Sequence, residues 1–215
     1  MLGELIEKAS GFPLDIFVDS LIFKPLGMGT TFYNPPEEKI KRVIPTEIDP
    51  KGNLIHGYVH DENAHSLGGV AGHAGLFSTA KDLAIFSQMM LNKGLYGWKR
   101  IFKQETVDLF TTRANLVYQS SRCLGWDSPS GASSGGAYLS DASYGHGGYT
   151  GTTLWIDPDN EIIVVLLTNA VHPNRKNKDP KYFDWRHRIH SAVYESLSIN
   201  VKNPSLSVRG RWINN

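Results

Sequence analysis

Apolar positions along this chain fall into two registers, one helical and one strand-like. Leu2, Leu5, Ile6 and Ala9 lie at helical spacing and Gly11 stops the run, which predicts a short helix over residues 2–10. Pro13 suits a first helical turn. Leu14, Phe17, Val18, Leu21 and Ile22 then share one side of a second helix, ended by Pro25 and Gly27. Residues 28–67 sustain no periodicity, and Pro35-Pro36, Pro45 and Asp49-Pro50-Lys51-Gly52 are turn signals. A loop of that length is usually functional or disordered. Thr79-Ala80-Lys81-Asp82 opens the clearest helix, running to about Lys93, with Leu83, Phe86 and Met90 as its buried stripe, Ala84 and Leu91 alongside, and Gly94 as the stop. Another helix spans about Gln104 to Thr112, with Val107 and Phe110 inward. Arg122–Trp126 reads as a short strand and Ser128–Gly136 as a Ser/Gly-rich loop. Val171–Lys181 is a basic, proline-bounded connection. Asp184-Trp185 then opens a last helix that buries Trp185, Ile189, Val193 and Leu197.

The chain is organised around Tyr144–Asn169. Two strand-favouring runs, Tyr149–Ile156 and Glu161–Thr168, flank Asp157-Pro158-Asp159-Asn160. Pro158 pre-sets φ at the second turn position and Asn160 tolerates a left-handed backbone, which predicts an antiparallel hairpin. The first strand alternates, with Thr150, Thr152, Leu154 and Ile156 on one face. The second, apolar on both faces from Ile162 to Leu167, reads as a central strand. Where the hairpin begins, Gly145-His146-Gly147-Gly148 bares the backbone beside one titratable ring. Glycine inside a strand often marks close approach by a ligand, and His146 can present a proton donor or a cation along that edge.

Composition narrows the possibilities. With 215 residues and 40% hydrophobic content the chain can bury a core, as one domain or most of one. A net charge of +1 argues against nucleic acid as a partner. Cys123 is the single cysteine, so no internal disulfide forms. No apolar run reaches the length of a membrane span, and no signal peptide is visible in these residues. His60-Asp61-Glu62-Asn63-Ala64-His65, followed by His73, is the most polar cluster. His and carboxylate suit zinc, but the spacing matches no metal motif, so a hydrogen-bonded loop is the simpler reading. No metal or cofactor is called for.

His146-Gly147-Gly148-Tyr149-Thr150-Gly151-Thr152, followed by Leu154-Trp155-Ile156-Asp157-Pro158, resembles the third motif of the serine β-lactamase and penicillin-binding-protein superfamily, nearest its class C β-lactamase and esterase-like branch. There the motif is Lys-Thr-Gly or His-Thr-Gly on an edge strand. Gly68 to Leu83 resembles the family's glycine-rich loop and following helix, and the opening to Met28 resembles the segment downstream of its Tyr-x-Asn motif. The Ser-x-x-Lys nucleophile motif and Tyr-x-Asn do not stand in their expected places. The chain therefore looks like the C-terminal part of a serine hydrolase, with residues 1–198 in the β-lactamase-like domain and 199–215 as a tail.

The resemblance implies a mixed α/β fold, an antiparallel sheet flanked by helices and incomplete at the N-terminus. It implies acyl transfer to serine and hydrolysis of a β-lactam, ester or peptide-like amide. The partners it implies are a small-molecule or peptidoglycan-like substrate and the N-terminal portion of the same domain, in a periplasmic or other extracytoplasmic setting. His146 maps to the motif's first position and Tyr149 to the residue whose N–H helps form the oxyanion hole; Gly147, Gly148, Thr150 and His73 map to substrate-binding positions. Gly147 departs from the family, which usually places a carboxylate-binding Thr there. A noncatalytic binding or scaffold module on the same fold is the alternative reading. Ser78-Thr79-Ala80-Lys81 also spells Ser-x-x-Lys. Ser and Thr are preferred helix N-caps, and Asp82 three residues after Thr79 makes a capping-box-like pair, so both Ser78 and Thr79 are expected to cap.

Overall fold

Leu2–Ser10 forms the first helix, α1, and Gly11 ends it as expected, its backbone at φ 77 and its N–H on the Glu7 carbonyl. In the computed structural model residues 1–118, 120–131, 134–179 and 181–206 are described. Parts of the Ser128–Gly136 loop, the Val171–Lys181 connection and the 199–215 tail therefore lie outside the described residues.

The chain divides into two compact units, Met1–Phe86 with Asn169–Lys178, and Ser87–Thr168 with the chain from Asp179 onward. In the first, α1 is followed by α2 (Leu14–Val18), a π-helical turn (Asp19–Phe23) and α3 (Lys24–Leu26). The predicted second helix exists, but its buried face differs. Leu14, Phe23, Leu26 and Met28 go inward while Leu21 stays exposed. The π turn inserts one residue into the helical repeat and so rotates everything beyond it. Leu2 and Leu5, predicted to be a stripe, are also exposed; Gly3 is the buried residue of α1. It meets Gly72 so closely that a Cβ on Gly72 would lie 2.9 Å from the Gly3 nitrogen. Two glycines let the backbones touch there.

The stretch predicted as irregular holds β1 (Phe32–Tyr33), α4 (Glu37–Ile40) and α5 (Glu62–Ser66). β1 pairs antiparallel with β2 (Leu76–Phe77). α6 spans Ala80–Leu91. Thr79 caps α6, its hydroxyl accepting from the Asp82 N–H at 3.3 Å. Ser78 does not cap. Its hydroxyl bonds Thr31 at 2.7 Å, and the Asp82 carboxylate, instead of reaching back, accepts from the Thr30 N–H and both the Thr30 and Thr31 hydroxyls. The α6 stripe is likewise shifted: Asp82, Ser87, Met89 and Met90 are buried, Leu83 and Phe86 only partly, and Ala84 is exposed.

The second unit opens with the ribbon of β3 (Leu95–Tyr96) and β4 (Lys99–Arg100), then α7 (Gln104–Thr111). Val107 is buried as expected, but Phe110 is exposed. Its main sheet is β5 (Tyr144–Gly147), β6 (Thr153–Asp157) and β7 (Ile162–Leu166), all antiparallel in that order. The hairpin prediction thus holds for β6 and β7, with Asp157 facing Ile162. The left-handed residue is Glu161 at φ 56, one position after Asn160. Among the described residues β6, not β7, is central, because β5 takes its other edge. Arg122–Trp126 is not a strand; it makes isolated bridges only, Arg122 with Asp127 and Asp127 with Gly145.

The last helix, α8, spans Tyr182–Ser196. It buries Arg186, His190, Ser191 and Tyr194, while Trp185, Ile189 and Leu197 face solvent. The predicted stripe is one residue out of phase. The buried polar groups have partners that the apolar ones lack: His190 bonds the Thr153 hydroxyl at 2.9 Å, Ser191 accepts from the Ala137 N–H at 3.0 Å, and Tyr194 donates to Asp157 at 2.9 Å. Tyr194 also joins Tyr138, Leu139, Trp155, Ile162 and Val164 in the hydrophobic cluster of this unit.

Candidate functional site

The candidate motif occupies β5 and the turn after it. Tyr144, Gly145, His146 and Gly147 face Ile156, Trp155, Leu154 and Thr153 of β6 in register. Successive residues of a strand point to opposite faces, so Gly145 and Gly147 share one face and His146 the other. On the glycine face, a Cβ on Gly145 would lie 2.4 Å from both the Leu154 carbonyl and the Trp155 ring. No other residue fits at that position. A Cβ on Gly147 would lie 3.2 Å from Nη1 of Arg186. That guanidinium is itself buried and stacks over the rings of Tyr182 at 4.7 Å and Phe183 at 4.6 Å. Gly147 thus has a cation behind it.

On the opposite face His146 is exposed, and its Nε2 lies 3.2 Å from Nη1 of Arg122. Arg122 also pairs through Nε with the Asp127 carboxylate at 3.1 Å. Asp127 in turn exchanges two backbone hydrogen bonds with Gly145, at 2.8 and 2.9 Å. The sheet edge is therefore covered at Gly145 by one bridge.

Gly148, Tyr149, Thr150 and Gly151 form a tight turn closed by the Gly151 N–H on the Gly148 carbonyl at 3.1 Å. Tyr149–Thr152 is thus not the first part of a strand, as its composition predicts. Gly151 sits at φ 131, and a Cβ on Gly148 would lie 2.4 Å from the Thr152 hydroxyl, so backbone demands override β propensity. The Gly151 carbonyl accepts from the hydroxyls of Tyr182 and of Thr168, the latter at 2.6 Å. These bonds hold the turn that carries the Tyr149 amide.

Behind β6 the buried Asp157 carboxylate accepts from the Ser140 N–H at 3.1 Å and hydroxyl at 2.6 Å, from the Asn160 side chain at 2.8 Å and from Tyr194. Burial pushes this carboxyl up, but those donors outweigh it and hold it below the usual carboxylate value.

His73, the remaining candidate, lies in the other unit. Its Nε2 is 3.1 Å from Asp61, whose carboxylate also caps α5 by accepting from the Ala64 N–H at 2.8 Å. The polar cluster expected to be a hydrogen-bonded loop is instead largely α5, with Asp61 as its cap and its side chains hydrogen-bonded. His60 meets Glu47 at 2.8 Å, and His65 packs on Tyr58 with ring centroids 5.1 Å apart. Arg175 joins Glu47 through Nε and Glu62 through Nη2, each at 2.7 Å. Among the described residues no group of three or more His, Cys, Asp or Glu could hold a metal ion.

Arg122 and Arg186 escaped the sequence reading. Arginines distant in sequence carry no local mark of where they converge. The one available signal was that Arg186 precedes His190 by a helical turn.

Comparison with known proteins shows the family. A putative D-alanyl-D-alanine carboxypeptidase of Escherichia coli K12 is 38% identical over 204 residues, covering 86% of this chain and 46% of that protein. An N-acetylmuramyl-L-alanine amidase of Bacillus subtilis 168 is 40% identical over 190 residues, covering 80% and 43%. The chain spans about half the length of the curated relatives it matches. In fold it is similar to the simvastatin synthase LovD of Aspergillus terreus, with a TM-score of 0.68 at 18% identity over 92% of this chain and 54% of that one. The Beta-lactamase family model matches residues 1–188, nearly the whole chain, and the chain belongs to that family.

Proposed function

We propose that this chain supplies the third-motif wall of a serine acyl hydrolase that cleaves peptidoglycan-type peptide amides outside the cytoplasm. Its nucleophile would come from a Ser-x-x-Lys segment outside these 215 residues. The observation that carries this reading is the His146-Gly147-Gly148 edge on β5 followed by the pinned Tyr149 turn. That arrangement sets a titratable ring on the strand edge and a backbone N–H in the turn that follows it, groups of the kind acyl transfer uses. The names of the carboxypeptidase and amidase relatives supply the substrate class. In the reaction a serine Oγ, its proton taken by a base in the same segment as the nucleophile, attacks the scissile carbonyl, and the oxyanion is received by backbone N–H groups, among them that of Tyr149. The leaving amine takes a proton as the C–N bond breaks, and water then releases the acyl group.

Ser78 supports placing the nucleophile elsewhere. It is engaged with Thr31, while Lys81 is exposed. The test is intact mass after incubation with a penicillin or an activated ester, followed by peptide mapping. The 215-residue chain should give no adduct, and the protein encoded together with the upstream sequence should give one on an upstream serine. An adduct on Ser78 would overturn the assignment of the nucleophile. No adduct on either protein would favour a noncatalytic module.

A further inference from the structure

We infer that Arg122 fixes His146 as the neutral imidazole with its proton on Nδ1, so that at this strand edge the positive charge belongs to Arg122 and the transferable proton to His146. The argument is one of hydrogen-bond capacity. A guanidinium has five N–H donors and no acceptor. Its Nη1 lies 3.2 Å from Nε2 of His146, so Nε2 must be the acceptor and carry a lone pair. An imidazolium has no lone pair, and the Nε2–H tautomer has its lone pair on the wrong nitrogen. Only the Nδ1–H neutral ring satisfies the contact.

Arg122 is itself held. Its Nε pairs with Asp127 at 3.1 Å, and the Asp127 backbone is bridged to Gly145, the neighbour of His146 on β5. Asp127, Arg122 and His146 thus form a short relay whose two ends are tied to the same strand. A ring held in one tautomer presents the same nitrogen to every substrate, which is the service an orienting partner gives a catalytic histidine. Arg122 is by this account a positioning residue. Its usefulness to acyl transfer rests on the hydrolase reading, but the tautomer does not.

The test is nitrogen-15 NMR of the imidazoles in the 215-residue chain at neutral pH, with His146 assigned by comparison with His146→Gln. A neutral imidazole free in water favours Nε2–H. In this protein the Nδ1–H form of His146 should predominate, and in Arg122→Leu, which leaves no donor, the ratio should invert. Asp127→Asn, which frees the guanidinium without removing it, should move the ratio partway. Unchanged backbone amide signals of Tyr144–Gly147 would show that the variants keep the strand. A wild-type ring that is mainly Nε2–H or imidazolium, or a ratio unmoved by Arg122→Leu, would overturn the inference. Because the signal reports the ring and not turnover, it stands or falls apart from the search for an acyl adduct.

Discussion

Acidification should weaken this fold through one buried ring. His190 is wholly buried on α8, with Nε2 on the Thr153 hydroxyl at 2.9 Å. Burial first, then the like charges of Arg186 and His187, pull its pKa from 6.5 down to about 4. In the unfolded chain the ring takes a proton near 6.5; in the folded chain it resists to about 4. Between those values the unfolded state binds more protons, so stability rises with pH. The contribution is complete above 6.5 and is lost as pH falls toward 4. The pKa difference of about 2.5 (6.5 less 4), at about 1.4 kcal/mol for each unit of pKa, makes the whole loss about 3 kcal/mol. Roughly 2 kcal/mol of it should already be gone at about pH 5.

Urea unfolding of the chain and of His190→Gln, followed by far-UV circular dichroism between about pH 7 and about pH 5, isolates the effect. Glutamine still reaches for the Thr153 hydroxyl and does not titrate. Any difference in starting stability between the variant and wild type should be a pH-independent offset, and the variant's curve should be flatter. Carboxylates such as Asp157 and Glu47, held low by their donors, titrate alike in both proteins and cancel in the difference. Parallel curves, or a His190 resonance that titrates near 6.5 in the folded chain, would refute the reasoning. The result bears on the site because His190 holds Thr153, the residue facing Gly147 across the ladder.

Three further outcomes are expected. Asp157→Ala leaves the buried Tyr194 hydroxyl and the half-buried Ser140 N–H without their acceptor, at a cost of about 3 kcal/mol, which thermal unfolding should register as a drop of roughly 10 °C. Gly145→Ala drives a methyl into Trp155 and the Leu154 carbonyl, and should cost about 1–3 kcal/mol in urea unfolding with a changed tryptophan emission. In a protein that carries the nucleophile, His146→Ala should slow acylation by roughly 10- to 1,000-fold in stopped-flow assays with little change in stability, since the ring is exposed. Unaltered acylation would make His146 a structural residue only.

What the sequence made legible, and what it hid, follows from the range of the forces involved. The β6–β7 hairpin could be read because its causes are local: Pro158 fixes a turn and β-branched residues favour the strands beside it. Gly11 and Gly27 could be read as helix stops for the same reason, each taking a left-handed backbone. The motif was legible too, as a string of glycines around His146. The strand assigned to Tyr149–Thr152 failed although Thr and Tyr favour strands, because Gly151 bends the chain and its carbonyl is tied to Thr168 and Tyr182.

The helix faces failed for a reason that reaches the site. Periodicity assumes that burial follows hydrophobicity, yet a buried polar group is tolerated when its hydrogen bonds are made. α8 turns Tyr194 and His190 inward toward partners on β6, Asp157 for the Tyr194 hydroxyl and Thr153 for Nε2 of His190, although Nδ1 of His190 makes no hydrogen bond among the described residues. A search over α8 alone cannot see β6. One consequence concerns Gly147. The same rotation that buries His190 brings Arg186, one turn earlier, up against the glycine face of β5. A side chain at position 147 would press its Cβ to 3.2 Å from a guanidinium stacked on two rings, which would have to give by a few tenths of an ångström, so the glycine of the motif and the phase of the last helix meet at one contact. The glycine is the side of that contact written in the motif, and the arginine, nearly 40 residues downstream, is the side that only the folded chain brings to it.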